Sequence, residues 1–159
     1  MAYTTIGISE MRVSTNAEDI LITYSLGSCI GLTLYDPIVG VGGMIHCMLP
    51  LSKTDETKAL ANPCMYVDTG VLALLRSLFE LGAQRKNIIA KIAGGSNFLD
   101  EREVFKIGER NYTMVRKVLW KNDILIRGEE CGGNIARTMI LHIGNGRTFI
   151  KSAGVEREL

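Results

Sequence analysis

The chain has 159 residues, of which 47% are hydrophobic and 22% charged, enough apolar material for one core and a length that favours one domain over residues 1–159. With 18 basic against 17 acidic residues and a formal net charge of +1, the balance does not point to a nucleic-acid backbone or an anionic membrane as partner. No segment approaches the roughly 20 apolar residues that cross a bilayer, and Met1 to Glu10 lacks the basic head and apolar run of a signal peptide.

The expected location is therefore the cytoplasm, where Cys29, Cys47, Cys64 and Cys131 are reduced thiols and not a disulfide framework. The first third is strand-like. Ile6 to Val13, Ile20 to Leu26, Cys29 to Tyr35 and Val39 to Leu49 are rich in β-branched residues and interrupted by Gly, Pro or Asp. Asp36-Pro37 and Gly40 mark the turn between the third and fourth. Residues 50–65 are polar and irregular and read as a surface loop. Val67, Val71, Leu74, Leu75 and Leu78 recur at helical spacing, with Gly82 where a helix stop belongs.

Asn87 to Ala93 reads as a buried strand running into Gly94-Gly95. The acidic residues that follow, Asp100, Glu101 and Glu103, suit a solvated loop. A second helix, Asn111 to Lys121, carries Met114, Val115, Val118 and Leu119 on one stripe. Further strands cover Ile124 to Arg127 and Arg137 to Ile143, and Asn145-Gly146 signals a hairpin before Arg147 to Ser152. Strands outnumber helices and do not alternate with them strictly. The fold class expected is α+β, a single layered domain with mixed β-sheets, sandwich-like, and flanking helices.

The chain has two histidines. His46 and His142 both lie in apolar strands, where a hydrogen-bonded core role is the ordinary one. Cys29 changes the weighing for His46. It follows Leu26-Gly27-Ser28, a tight junction that can bring backbone N–H groups near a bound carbonyl. By alternation, Ile30, Leu32 and Leu34 share a core face, leaving Cys29, Gly31 and Thr33 on a less apolar one. In the preceding strand Ile22, Tyr24 and Leu26 share one face, and Leu21, Thr23 and Ser25 the other. Cys47, next to His46, points away from it and reads as core.

A cysteine becomes a nucleophile when an imidazole stabilises its thiolate and later protonates the leaving group, and a third polar group commonly orients the imidazole. Cys29, His46 and Thr23 supply those three residue types. Their meeting depends on how the strands are arranged. A zinc site is the rival, although no two cysteines have the close spacing that structural zinc prefers. Gly94-Gly95-Ser96-Asn97 and Gly132-Gly133-Asn134 lack a phosphate-binding pattern and suit turns better.

Leu26-Gly27-Ser28-Cys29, Tyr35-Asp36-Pro37, Gly43-Met44-Ile45-His46 and Met48-Leu49-Pro50 resemble the chemoreceptor glutamine deamidases of the CheD family. Tyr66-Val67-Asp68-Thr69, Ala90 to Gly95, Ile107-Gly108-Glu109-Arg110-Asn111 and Gly132 to Arg137 follow in the family's order. The resemblance implies a catalytic Cys-His-Thr site at Cys29, His46 and Thr23, with no cofactor and no metal. It implies hydrolysis of selected glutamines in the cytoplasmic region of methyl-accepting chemoreceptors, with some activity on receptor glutamate methyl esters. It also implies a fold akin to toxin-type cysteine deamidases and a regulatory partner, a CheC-type phosphatase. Backbone N–H groups of the Gly27-Ser28-Cys29 turn are the candidates for holding an oxyanion. The competing reading is a CheD-like binding module, for the phosphatase or the receptor, with a vestigial thiol.

Overall fold

The computed structural model describes residues 2–97 and 106–159; Asp100, Glu101 and Glu103 lie outside them. In chain order the elements are β1 (Ala2–Thr5), β2 (Glu10–Ser14), β3 (Asp19–Leu26), β4 (Ile30–Asp36), β5 (Val41–Cys47), α1 (Glu56–Ala61), α2 (Val67–Glu80), β6 (Ile89–Gly94), α3 (Ile107–Lys121), β7 (Leu125–Cys131), β8 (Arg137–His142), β9 (Thr148–Ser152) and β10 (Val155–Glu158). They build two five-stranded sheets, ordered β1-β3-β8-β9-β10 and β2-β5-β4-β6-β7. Each is mixed: β1 runs parallel to β3 and β6 parallel to β7, the other pairs being antiparallel. The α+β class expected from the sequence is the one observed. No helix among the described residues is long and apolar enough to cross a membrane.

The alternation along β4 explains the layering. All seven of its residues are buried. Ile30, Leu32 and Leu34 enter the larger core with Val67, Val71, Leu74, Leu75 and Leu78 of α2 and Val115, Val118 and Leu119 of α3. The opposite face of the second sheet, with Met44 and Ala93, packs on Leu21, Leu26, Met139 and Leu141 of the first. The face that looked less apolar is thus buried between the sheets, and its residues are small because the other sheet comes close. A Cβ on Gly31 would lie 2.7 Å from Leu26 Cδ1 and 3.0 Å from Met139 Sδ.

Three local readings are corrected. Ile6 to Val13 is not one strand. Ile6 N–H bonds Ile22 O, Ser9 adopts φ 63° and its N–H bonds His46 O, so the chain crosses here from one sheet to the other. Leu26 does not share the face of Ile22 and Tyr24. Ser25 at φ 59° and a register shift between Thr23 and Leu26 turn it inward. Residues 50–65 are not structureless, for Asp55 caps α1 by accepting from Lys58 N–H at 3.1 Å. The Asp68 carboxylate anchors the turn before it through the Ser52 N–H and hydroxyl.

Candidate active site

Thr23 and His46 belong to different sheets and meet between them. Thr23 Oγ1 is 2.7 Å from His46 Nδ1 and 2.7 Å from the Ile6 carbonyl oxygen. A hydroxyl has one proton and a carbonyl can only accept. Thr23 therefore donates to Ile6 O and accepts from Nδ1–H, which leaves the lone pair of the neutral imidazole on Nε2. Both residues are 0% exposed, and Nε2 has no hydrogen-bond partner among the described residues. A buried acceptor left unpaired is costly, and here it is a free base held in one orientation. Burial lowers the His46 pKa to about 4, so at neutral pH the ring is uncharged.

Cys29 approaches the same face. The β4–β5 ladder sets Gly31 opposite His46, and Cys29, two residues before Gly31, is the diagonal neighbour on that side of the sheet. It is half-buried against the inter-sheet cluster. Burial raises its thiol above the ordinary 9.0, opposed more weakly by its own backbone N–H. Burial thus pushes the Cys29 thiol up and the His46 imidazole down, disfavouring the charged forms of both groups, against the expectation of an imidazole-stabilised thiolate.

The turn that carries Cys29 is held by its carbonyls. Gly27 O accepts from Ser96 N–H at 2.9 Å and Cys29 O from Gly95 N–H at 2.8 Å. Ser28 O accepts from Asn111 Nδ2 at 2.9 Å. Gly94, at φ 105°, allows this approach, since a Cβ there would overlap the Cys29 carbonyl oxygen. Arg137, only 5% exposed, braces the same loop by donating to Ser96 Oγ at 3.1 Å and Gly132 O at 2.9 Å, while pairing with Glu130 at 2.7 Å. As site residues Gly95, Ser96, Asn111 and Arg137 are not legible in the sequence, where Gly95 and Ser96 read as a turn and Asn111 and Arg137 stand at the ends of family motifs. Asn111 alone left a signal there, as the polar member of a buried stripe continued by Val115 and Val118.

The remaining sulfur and imidazole groups stand elsewhere. Cys47 is fully buried in the helix-side core. His142 packs edge-on against Phe149, beside Ile140 and across the ladder from Ile20, two residues of a small cluster apart from the inter-sheet core. Burial and Glu129 push the Cys131 thiol up to about 12. Among the described residues no group of three or more His, Cys, Asp or Glu is placed to hold a metal ion.

The family model described as CheD chemotactic sensory transduction matches residues 48–152. A Syntrophus aciditrophicus protein named probable chemoreceptor glutamine deamidase CheD 1 is 50% identical over 149 residues, 94% of this chain and 93% of that one. Proteins named probable chemoreceptor glutamine deamidase CheD from Solibacter usitatus and Clostridium tetani are 46% and 45% identical, covering 97% and 94% of this chain and 91% of each relative. Among solved structures, a Neisseria meningitidis protein of the DUF152 family model is similar over 83% of this chain and 62% of that one, with a TM-score of 0.47 and 8% identity.

Proposed function

The chain belongs to the CheD family, and from that membership we propose that it is a protein-glutamine deamidase acting on chemoreceptors, with Cys29 as nucleophile, His46 as acid and base, and Thr23 as the group that orients His46. The observation that carries this reading is the Thr23–His46 hydrogen bond, which leaves Nε2 unprotonated on the face that Cys29 shares.

The chemistry follows from a neutral pair. As Cys29 Sγ attacks the side-chain amide carbon of a receptor glutamine, its proton passes to His46 Nε2. The imidazolium is stabilised only transiently, by Thr23 at Nδ1. Collapse of the tetrahedral species breaks the C–N bond, and Nε2–H protonates the leaving nitrogen as ammonia. The thioester is then attacked by water, whose proton goes to Nε2. The C–S bond breaks, the proton returns to sulfur, and glutamate remains. A glutamate methyl ester would enter the same sequence with methanol as leaving group. Cytoplasmic action and regulation by a CheC-type phosphatase extend this reading on the resemblance alone.

A binding module would have no use for a buried imidazole nitrogen with no partner among the described residues, since its cost to folding brings nothing in return. Ammonia release from a purified chemoreceptor cytoplasmic fragment tests the proposal. The native chain should release it with or without EDTA, and Cys29→Ala should not. No release by the native chain would favour the binding module, and loss on chelation restored by zinc would favour a metal site.

A further inference from the structure

Asn111 sits in the second turn of α3, 0% exposed, and reaches both halves of the site. Its Nδ2 donates to Ser28 O at 2.9 Å and to Met48 O at 3.0 Å. Ser28 immediately precedes Cys29, and Met48 follows His46 by two residues. Because both partners are carbonyls that can only accept, the side-chain amide has one admissible orientation, and its two N–H bonds are both committed. Its oxygen is buried with no hydrogen-bond partner among the described residues. A buried side chain with both donors committed to carbonyls at the two halves of the site is placed here for what those donors hold.

What they hold is a peptide plane. In a trans peptide the N–H points opposite to the preceding C=O, and no peptide bond among the described residues is cis. Fixing Ser28 O towards Asn111 therefore aims the Cys29 N–H the other way. Fixing Gly27 O on Ser96 N–H does the same for the Ser28 N–H. An amide beside a nucleophile, its direction fixed by an anchored carbonyl, is what an oxyanion needs before it forms.

We infer that Asn111 is a positioning residue: it holds the Ser28–Cys29 peptide so that the Cys29 N–H is aimed at the developing oxyanion, and it ties that peptide to the strand carrying His46. The inference rests on the proposed Cys29 chemistry and adds to it a residue that touches neither substrate nor reacting atoms.

The test exploits two reactions of one thiol. Alkylation of Cys29 by iodoacetamide is a displacement at carbon with no oxyanion, whereas deamidation passes through one. Asn111→Ala should lower kcat for ammonia release from the chemoreceptor fragment by about 100-fold, the scale of one lost oxyanion donor, with KM within about threefold of native since the substrate's own contacts are untouched. The rate of Cys29 alkylation should stay within about twofold of native, because the route from thiol to iodoacetamide does not use the aimed amide. Should Asn111→Ala fail to fold, Asn111→Ser, which keeps one donor, is held to the same criteria. Deamidation near the native rate would overturn the inference, and so would a parallel fall of alkylation and deamidation, which would make Asn111 general support for the fold. Cys29→Ala run alongside separates the two levels. If it still deamidates, the Cys29 chemistry is wrong. If it is inactive while Asn111→Ala is fully active, only the role of Asn111 is wrong.

Discussion

Thr23 and His46 share a 2.7 Å hydrogen bond whose direction is set by a third atom, the Ile6 carbonyl oxygen, to which Thr23 commits its only proton. The imidazole is thereby held as the Nδ1–H tautomer. Thr23→Val keeps the shape and removes both the acceptor and the donor. We expect kcat for deamidation to fall about 100-fold, the lower end of what positioned acid–base catalysis supplies, with KM little changed. Thr23→Ser should retain most activity. Placed on His46→Ala, Thr23→Val should cost little more, because residues acting as a unit are not additive. Defects that multiply would assign Thr23 to substrate binding instead.

The depressed pKa of His46 sets the acid limb of activity. The base must be neutral to take the Cys29 proton, so kcat/KM should fall only as pH drops towards about 4 and stay flat through the range where an ordinary histidine titrates. The same shift bears on stability. A histidine whose folded pKa is lowered binds fewer protons than in the unfolded chain. Its contribution is whole above the unfolded value of 6.5 and is lost as pH falls towards 4, worth about 3 kcal/mol in full. Urea unfolding at pH 7 and pH 4.5 should show the loss, and His46→Asn should flatten it. An activity midpoint near 6.5 would contradict the buried, neutral ring.

Cys29 should be alkylated ahead of Cys47, which is fully buried, and of Cys131, whose thiol is pushed up to about 12. Its own thiol is raised above 9.0 by burial, so its rate should keep climbing beyond pH 9 without the plateau of a low-pKa thiolate. Peptide mapping after limiting iodoacetamide gives the order, and a pH series gives the titration. A plateau below pH 7 would restore a resting thiolate–imidazolium pair.

Gly94 offers a steric test of the turn. Its backbone is at φ 105°, and a Cβ there would overlap the Cys29 carbonyl oxygen. Gly94→Ala should destabilise the fold by about 1–3 kcal/mol through backbone strain alone. It should also displace the nucleophile, so that activity measured well below the melting temperature falls as well. Gly40→Ala makes a useful control, since it too has positive φ, 70°, but meets nothing within 4 Å. Equal activity in the two variants would mean that the Gly94–Cys29 contact does not hold the thiol in place.

Much of this was legible in residue patterns where one period dominates. The stripe Val67, Val71, Leu74, Leu75, Leu78 marks α2, and the β-branched runs mark β3, β4 and β5. Cys47, next to His46 and so on the opposite face, reads as core and lies there. Alternation fails at Ser25, where one left-handed residue moves Leu26 to the opposite face without any compositional sign. It also misjudged the small residues Gly31 and Thr33, because a face that packs closely on a second sheet needs small side chains and resembles a polar one. The pairing of Thr23 with His46 depends on two sheets facing each other, which no local pattern contains. Asn111 acts through two carbonyls distant in sequence and Arg137 through the distant Ser96 hydroxyl, and such partners are set by tertiary structure alone.

The most direct test of the central claim is site-resolved mass spectrometry of a chemoreceptor cytoplasmic fragment incubated with the native chain and, separately, with Cys29→Ala. The thioester route converts amide to acid, a gain of about one dalton at each modified glutamine. With the native chain the gain should appear at discrete glutamines, and with folded Cys29→Ala none should rise above the enzyme-free background. The same gain at the same glutamines with Cys29→Ala would contradict the thioester route.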